Sequence, residues 1–450
     1  MADVRELFDR GIVKELVDIG YLPPTWISEE QIPGYAMVLE HERIEHLTYS
    51  HEWTFGMLKD AALFVLELRE FLSTRGYDLV DAHCDNVTFH QGRPIWLDFG
   101  SLVKNPSPLI WAAGRRFEQS FIYPLMLWGK LGEFAGRRFL LGGEYMPREA
   151  ALLGTSWWAR LLSPAGLRWI CTLLDNYFSI PGAPPAILRQ KLGRVALWRG
   201  IAATFPGLAE RFIQTAIQGG LPYHHHAGKR LARQIRAIEK RGYKTRWEDY
   251  HTGVLKEVSA FESYPRFRRL IALLKEMGPV SVTEIGTNQG ALANLILKEV
   301  KPATMVCLDI DDGALERFYL HNRETHQTRV THAVLDVMRP FSILPKLPAT
   351  DRFKSEALVA LAVTHHMVMG QCNSLDYLFT RLAAFTSRWI LVEYMPHGFY
   401  TEPVDTPPPE TYSAARFDAA FRQHFDVVSI ETLEPTRMLY VGRLREPPQC

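Results

Sequence analysis

In the second half of the chain, short apolar runs alternate with segments whose apolar residues recur at helical spacing. The apolar runs predict strands over residues 280–285, 304–309, 329–335, 356–363 and 388–394. The helical spacing predicts helices over residues 290–299, 312–321, 373–385 and 412–424. Two final strands joined by LEPT predict an antiparallel hairpin. This succession is typical of a mostly parallel sheet with helices on both faces and a ligand at the carboxyl ends of its strands.

The first half has a different pattern. Residues 53–74 carry apolar residues at helical spacing and predict a helix with one buried face, while residues 35–44 predict a strand. Residues 105–215 are mostly helical and rich in aromatic residues. Because aromatic side chains at helical spacing are more typical of a core than of a ligand site, no site is predicted there.

The length of the chain bears on its division into domains. With 450 residues it exceeds one ordinary core, so at least two domains are expected. Composition shifts near Gly219, Gly220 and Pro222. We therefore expect a first domain over residues 1–215, a linker with cofactor-covering helices over 216–278, and a second domain over 279–445.

Charge and cysteine usage narrow the class of protein. A formal net charge of +1 gives no strong nucleic-acid signal. Five cysteines without a C-x-x-C pair fit a reducing compartment and predict no zinc site. The amino-terminal residues lack an apolar signal core, and Arg115, Arg116 and Glu118 interrupt the most apolar region. We expect a soluble, cytoplasmic protein without a membrane span.

Two basic or histidine-rich stretches lie between the halves. The consecutive residues His224, His225 and His226 point in different directions, so no shared metal ion is expected. Residues 229–246 predict a solvated helix with a few apolar residues packed beneath it, in preference to an RNA-binding arm. Residues 247–261 would then lead into the second domain as a covering helix.

The stretch over residues 280–290 combines a strand, a turn and a helix start. The turn carries Glu284, Gly286, Asn288 and Gly290. Glycine lets the backbone approach a ligand, and free N–H groups at the helix start point into the site, so the turn forms a nucleotide-sized cradle. By itself the turn also fits an NAD enzyme.

Downstream residues separate these alternatives. Asp309 ends the next strand, Asp336 stands in L-D-V, and a later strand leads to His365 and His366. With the cradle and the terminal hairpin, these features resemble the class I S-adenosylmethionine-dependent methyltransferases. The resemblance implies that Asp309 accepts hydrogen bonds from the ribose hydroxyls and that Asp336 holds the adenine amino group.

The same resemblance implies roles for the cradle. Gly286, Asn288 and Gly290 would bind the cofactor, although Asn288 stands where the commonest family form has glycine. Glu284 is expected to order the turn or reach the methionine end of the cofactor.

Methyl transfer needs alignment of donor and acceptor, together with removal of a proton when the acceptor is a hydroxyl. Histidine titrates near neutrality, so His365 or His366 is the expected base or acceptor-positioning group. We expect the opening of the same site to be lined also by Glu393, Tyr394 and His397. For each of these residues a capping or packing role is the alternative.

A second notable stretch covers residues 77–102, where Asp81, Asn86 and Asp98 flank two short strands. It resembles the catalytic loop and D-F-G segment of protein kinases and small-molecule phosphotransferases. The resemblance implies that Asp81 orients an acceptor hydroxyl and that Asn86 and Asp98 hold the magnesium of bound ATP. No G-x-G-x-x-G strand pair and no V-A-I-K-like lysine precede it, so the domain is truncated. Alternatively, the three residues hold the hairpin together by hydrogen bonds.

Ahead of the second domain the chain carries VLEHERI at residues 38–44, W-x-F-x-M-L-K-D-A-A at 53–62 and D-x-x-x-x-N-V-x-F-x-x-G-x-P at 81–94. With these motifs, the whole chain resembles a bacterial group of two-part methyltransferases associated with nodulation or surface-glycan genes. This implies an α/β, doubly wound methyltransferase domain preceded by a mostly helical, truncated kinase-like α+β domain. The expected activity is O-methylation of a small-molecule or glycan acceptor by S-adenosylmethionine, with the first domain recruiting the acceptor. A bifunctional kinase and methyltransferase using Mg-ATP, or a non-catalytic cofactor-binding scaffold, are the alternatives. The sequence names neither the acceptor nor the oligomeric state.

Overall fold

The structure, a computed structural model, describes residues 2–104, 111–138, 227–240, 244–250, 264–340, 347–400 and 408–446, together with residues 140, 151 and 404. Within those ranges every helix is too short or too polar to span a lipid bilayer. The histidine run His224, His225 and His226, for which no shared metal ion is predicted, and the first residues of the predicted linker, 216–226, lie outside the described residues.

The described helices are α1 Ala2–Asp9, α2 Ile12–Asp18, α3 Phe55–Ser73, α4 Gly114–Phe117, α5 Tyr123–Leu131, α6 Glu133–Arg137, α7 Ala227–Ala237, α8 Pro265–Met277, α9 Ala291–Glu299, α10 Asp312–Glu324, α11 Ala349–Arg352, α12 Leu375–Ala384 and α13 Ala414–His424. The strands are β1 Thr25–Ile27, β2 Leu39–His41, β3 Tyr77–Leu79, β4 Val87–His90, β5 Arg93–Trp96, β6 Leu102–Lys104, β7 Ser281–Ile285, β8 Thr304–Asp309, β9 Val330–Val334, β10 Ser355–Ala360, β11 Thr386–Tyr394, β12 Phe425–Glu434 and β13 Arg437–Leu444.

Strands β7 to β13 form one seven-stranded sheet in the order β12-β13-β11-β10-β7-β8-β9. All neighbouring pairs are parallel except those made by β13, which runs antiparallel to both β11 and β12. The chain order reverses direction at β7, with β8 on one side and β10 on the other. The predicted mostly parallel sheet with a terminal antiparallel hairpin is confirmed.

Helices cover both faces of this sheet because successive strand residues point to opposite sides. In β11, Ile390 and Val392 pack with α12 and α13, whereas Leu391 packs with α8 and α9. All three side chains are fully buried. Near-continuous apolar strands such as this one are typical of a sheet buried on both faces.

The first half has its own apolar core, in which the long helix α3 is central. Thr54 caps this helix by accepting a hydrogen bond from the Met57 N–H at 3.4 Å. Side chains of α1, α2, α5 and the β4–β5 hairpin pack around α3. Leu231 and Ile235 of α7 are fully buried in the same core. Helix α7 is therefore a surface helix with an apolar underside, as predicted for the first part of the basic segment, whereas residues 238–240 and 244–246 lie outside any helix.

Most predicted elements are confirmed to within three residues at each end. The strand predicted over residues 35–44 is shorter, because only Leu39–His41 pairs with β1. Pro23 and Pro24, directly ahead of β1, limit the length of its partner. Residues 111–138 are helical as predicted, whereas most of the predicted helical region 105–215 lies outside the described residues.

Polar contacts from α10 join the two halves. Tyr319 donates a hydrogen bond to Asp60 at 2.6 Å, and Arg323 pairs with the same carboxylate at 2.9 Å. The Gly56 N–H donates to Glu316 at 2.9 Å. Since α10 follows β8, the first half is fixed to a helix that begins near the predicted cofactor site.

A buried ion pair forms a second joint. Arg352 of α11 donates to both carboxylate oxygens of Glu52, at 2.8 and 2.5 Å, and both side chains are almost fully excluded from solvent. Arg352 also donates to the Leu47 carbonyl at 2.6 Å, and its own carbonyl lies 2.6 Å from His46 Nδ1. Each charge is thus compensated by a partner from the other half.

Candidate active site

The turn between β7 and α9 closes tightly against its own protein neighbours. Gly286 has φ +77°, and a Cβ there would lie 2.2 Å from a Val363 methyl carbon. Gly290 has φ +75°, and a Cβ there would lie 2.2 Å from the Phe318 ring. Asn288 adopts φ +52°, a conformation that asparagine tolerates better than most residues. Two glycines and an asparagine are therefore what this backbone path requires.

A cavity of about 550 Å³ lies at the carboxyl ends of β7, β8 and β10. This is where an open α/β sheet binds its ligand, beside the position at which the strand order reverses. Among the predicted site residues, the cavity wall contains Gly286, Asn288, Asp309, Asp336, His365 and His366. Glu284 and Gly290 lie behind the turn and are not part of the described wall.

Asp309, the last residue of β8, has both oxygens engaged by the backbone. Its Oδ2 accepts from the Asn288 N–H at 2.6 Å, and its Oδ1 accepts from the Asp311 N–H at 2.8 Å. Burial raises the pKa of Asp309 to about 6, although these N–H donors favour the ionised form. At neutral pH it is therefore a carboxylate, which can accept further hydrogen bonds.

Asp336 lies on the loop after β9 and is half-buried. Its Oδ1 accepts from the Met338 N–H at 3.0 Å, which fixes the orientation of the carboxyl group. Leu335 and Val337 beside it supply apolar wall to the same cavity. A carboxylate flanked by apolar side chains suits a flat heterocycle with an amino group.

Glu284 lies inside the sheet, and its Oε2 has no hydrogen-bond partner among the described residues. Burial raises its pKa to about 8, and the nearby Asp309 adds to that rise. The side chain is therefore largely protonated at neutral pH. This position agrees with the expectation that Glu284 orders the turn, and it separates Glu284 from the described cavity wall.

The two histidines stand at a wide turn that follows β10, of which His366–Gly370 forms the π-type part. Their ring centroids are 4.1 Å apart. Burial lowers the pKa of His365 to about 3, with His366 and Arg437 contributing, and burial together with Arg246 lowers the pKa of His366. Both rings are neutral at pH 7. His365 Nδ1 is buried without a hydrogen-bond partner among the described residues.

The other residues expected at this mouth lie elsewhere. The prediction for Tyr394 is wrong: its ring packs 5.2 Å from Tyr412 and 4.9 Å from Phe417 in the apolar core. Glu393 lies behind the wall, where it accepts from the Ala362 N–H at 3.0 Å. His397 accepts from the Val404 N–H at 3.3 Å and is absent from the described wall.

Two arginines face the cavity with different surroundings. Arg437 pairs with Glu393 at 2.9 Å and with Glu434 at 3.3 Å, so its charge is already balanced. Arg246 lies over the Trp247 ring at 4.9 Å and lines the cavity, and none of the ion pairs found among the described residues involves it. It is therefore available to an anionic group of a ligand.

Some wall residues were not predicted from the sequence as site residues. They are Arg246, Trp247, Tyr250, Phe399 and Arg437. The two aromatic residues of W-E-D-Y, just ahead of the second domain, are the one sequence feature that could have indicated this wall. The sequence instead predicts a covering helix over residues 247–261, whereas residues 247–250 form a bend and turn.

The kinase-like hairpin brings Asp81, Asn86 and Asp98 together by direct hydrogen bonds. The Asn86 amide donates to the Asp81 carbonyl at 3.1 Å and to Asp98 Oδ2 at 3.3 Å. Asp81 pairs with Arg116 at 2.9 Å, and Asp98 accepts from the Gly100 N–H at 3.0 Å. Within the described ranges, no group of three or more candidate side chains is placed to hold a metal ion.

No protein-family model matches this chain. Over 124 residues it is 36% identical to nodulation protein NoeA of Rhizobium meliloti (strain 1021), a match that covers 28% of this chain and 25% of that protein. The chain thus matches about a quarter of the length of this curated relative.

Solved structures with a similar fold include a SAM-dependent methyltransferase from Aquifex aeolicus, at 11% identity and a TM-score of 0.32, covering 42% of this chain and 98% of that one. The N-methyltransferase NodS from Bradyrhizobium japonicum WM9 matches at 14% identity and a TM-score of 0.30, covering 41% of this chain and 99% of that one. Both similarities cover less than half of this chain.

Proposed function

We propose that the chain is an S-adenosylmethionine-dependent methyltransferase acting on a hydroxyl group of a small-molecule or glycan acceptor. The observation that supports this best is the single cavity that joins the tight turn, the carboxylates of Asp309 and Asp336, and two neutral histidines.

The residues present fit the cofactor. A Cβ at Gly286 would crowd the turn, and buried polar atoms at Asn288 Oδ1 and His365 Nδ1 have no partner among the described residues. Asp309 would accept hydrogen bonds from the ribose hydroxyls, and Asp336 would accept one from the adenine amino group. When bound, the cofactor supplies a methyl group on a sulfonium sulfur.

The histidines supply the proton chemistry. A neutral imidazole can accept the proton of an acceptor hydroxyl, and the lowered pKa values keep both rings neutral at physiological pH. His366 is the less buried of the two and is the better placed to exchange protons with solvent. We assign it the role of base, with His365 positioning the acceptor oxygen. Trp247 and Phe399 each lie 5.3 Å from the His366 ring and supply the aromatic wall at this end.

The first half is proposed to recruit or shape the acceptor. Its kinase-like hairpin is inferred to be structural, because Asp81, Asn86 and Asp98 are bonded to one another and to Arg116. Neither a bound Mg-ATP nor a purely cofactor-sensing role is favoured by a contact among the described residues. The cytoplasmic location expected from composition stays a prediction.

Calorimetric titration of S-adenosylmethionine into the full chain tests the proposal. We expect Gly286→Arg to abolish detectable binding, because even a Cβ would overlap Val363. Asp309→Ala should weaken binding by about tenfold to a hundredfold, since a charged hydrogen-bond acceptor is lost. Unchanged affinity in both variants would refute the assignment.

Gly278→Arg is the matched control for Gly286→Arg. Gly278 also has a positive φ, +59°, but a Cβ there meets nothing within 4 Å. It ends α8 and lies outside the cavity wall. This variant should therefore bear the same backbone strain and still bind the cofactor.

A further inference from the structure

Residues 244–250, which we call the strap, cross the turn and form one wall of the cavity. The Thr245 hydroxyl donates to Asp311 Oδ1, and the Trp247 N–H donates to Asp311 Oδ2 at 2.9 Å. Asp311 stands two residues after β8. The strap is therefore tied to the sheet edge at which Asp309 lies.

Two polar residues of the turn hold the strap from the other side. The Asn288 amide donates to the Trp247 carbonyl at 3.2 Å, and the Gln289 amide donates to the Glu248 carbonyl. Gln289 is 1% exposed, so its hydrogen bond is made away from solvent. A glycine at position 288 would give the same backbone path without this bond.

The start of α10 is shaped to receive the strap. A Cβ at Gly313 would lie 2.4 Å from Thr245 Oγ1 and 2.7 Å from Glu248 Oε2. Any side chain at this position would therefore displace the Thr245 hydroxyl and the Glu248 carboxylate. Glycine inside a helix carries an entropic cost, which gives this close approach a structural reason.

The contacts of the strap converge on Asp309. One oxygen of Asp309 accepts from the N–H of Asn288, and the other accepts from the N–H of Asp311. The side chains of these same two residues hold the strap. A ligand that engages the Asp309 carboxylate therefore acts on the two residues that fasten residues 244–250.

The strap also reaches the histidine end of the cavity. The Trp247 ring lies 5.3 Å from His366 and 5.3 Å from Tyr250, in both cases edge to face. Thus one short segment contacts the turn at one end and the proposed base at the other.

We propose that Asn288 and Gln289 are positioning residues that latch the strap over the bound cofactor, so that cofactor release requires the latch to open. This inference rests on the proposed function, because it takes Asp309 as a cofactor ligand. Once latched, the strap keeps Trp247 against His366 and completes the wall on the acceptor side.

Hydrogen exchange of the full chain, read by mass spectrometry with and without S-adenosylhomocysteine, tests the latch. We expect this ligand to slow exchange of the strap amides, Trp247 included, by about tenfold or more. Asn288→Gly and Gln289→Met should speed that exchange and accelerate ligand dissociation by about tenfold each, the effect of one lost hydrogen bond.

Gly313→Ala should weaken the attachment of the strap without changing the turn, because the added methyl group displaces the Thr245 hydroxyl from Asp311. The substitution favours the helix, so misfolding would not explain a faster release of the ligand.

Two control variants match the test variants in the kind of side chain that is removed. His326→Gly removes another side chain at positive φ, +52°, on an exposed turn, and Gln371→Met removes an amide elsewhere on the cavity wall. Neither control should change strap exchange.

The outcomes separate this inference from the proposed function. If wild-type protein does not bind S-adenosylhomocysteine, the proposed function fails. If it binds in an Asp309-dependent manner while strap exchange stays unchanged, only the latch is refuted. Dissociation rates at the wild-type value in Asn288→Gly, Gln289→Met and Gly313→Ala would also refute the latch.

Discussion

Two regions of the molecule place carboxylate and amide side chains close together: the turn over residues 286–290 and the hairpin over residues 81–98. In the hairpin, the amide of Asn86 donates hydrogen bonds to the Asp81 carbonyl and to the Asp98 carboxylate. In the turn, Asn288 Oδ1 is buried without a partner among the described residues, and Asn288 lines the cavity. Asp81 Oδ1 of the hairpin is also buried without such a partner, but Asp81 lies outside the walls of the described cavities. Burying a polar atom without a partner is costly, and at a cavity wall a bound ligand can supply the missing partner.

Residue types that match a known site at the right spacing are therefore insufficient evidence for a site. The hairpin reproduces a kinase-like spacing because Asn86 and Asp98 must meet across a short pair of strands. The turn differs because its polar groups border a cavity at the end of a parallel sheet. We therefore expect polar groups bonded to one another to matter for stability, and cavity groups to matter for binding.

The largest effect on stability is expected at the joint between the halves. Arg352→Met leaves Glu52 buried and unpaired, which should lower the free energy of unfolding by about 3–5 kcal/mol. Urea denaturation at pH 7 measures this loss. Arg323→Met is the control, since its partly exposed pair with Asp60 should contribute less than about 1 kcal/mol. Equal losses in the two variants would contradict the distinction.

A smaller effect of opposite sign is expected at Glu284. Its pKa in the folded protein is about 8, above the ordinary 4.5, so its contribution to stability is complete below pH 4.5 and is lost as pH rises through 8. Glu284→Gln removes this loss. The variant should match wild type near pH 4.5 and exceed it by a few kcal/mol above pH 8.

Thermal or urea unfolding of both proteins across this pH range measures the difference. Glu431→Gln is the control, because its pairing with Arg269 lowers the pKa of that carboxyl and it lies near the surface. A stability difference for Glu284→Gln that does not grow with pH would show that Glu284 is not titrating in the folded protein.

The smallest effect is expected at Asn86. Asn86→Ala removes two hydrogen bonds and should cost about 1–2 kcal/mol of unfolding free energy. The affinity for S-adenosylhomocysteine should stay within about twofold of wild type, since the two sites share no partners. A rise in the melting temperature of wild type, but not of Asn86→Ala, on addition of Mg-ATP would instead restore the phosphotransferase hypothesis.

Much of the fold and part of the site could be predicted from the sequence. Apolar runs and helical spacing are local signals, so the sequence predicts the sheet, its terminal hairpin and the glycine turn. Asp309 ends β8 and Asp336 lies on the loop just after β9, which places them at the same sheet edge. His365 and His366 lie on the segment that follows the carboxyl end of β10.

The remaining features depend on contacts between distant positions. Tyr394 could not share the mouth with Glu393, since adjacent strand residues point to opposite faces. The hydrogen bonds from Asn288 and Gln289 to the strap span about forty residues and end on backbone carbonyls, which carry no side-chain signature. The burial of Glu284 likewise depends on both neighbouring strands.

The position of the strap has a consequence for modularity. A shortened chain that begins at residue 279 would contain every strand of the large sheet, yet Asp311, Asn288 and Gln289 would lose the partners that residues 245–248 supply. The space beside Gly313, which Thr245 and Glu248 fill in the full chain, would be empty. As an exchangeable unit, the second half begins no later than residue 244, so a graft or fusion made at the first strand would carry an incomplete cavity wall.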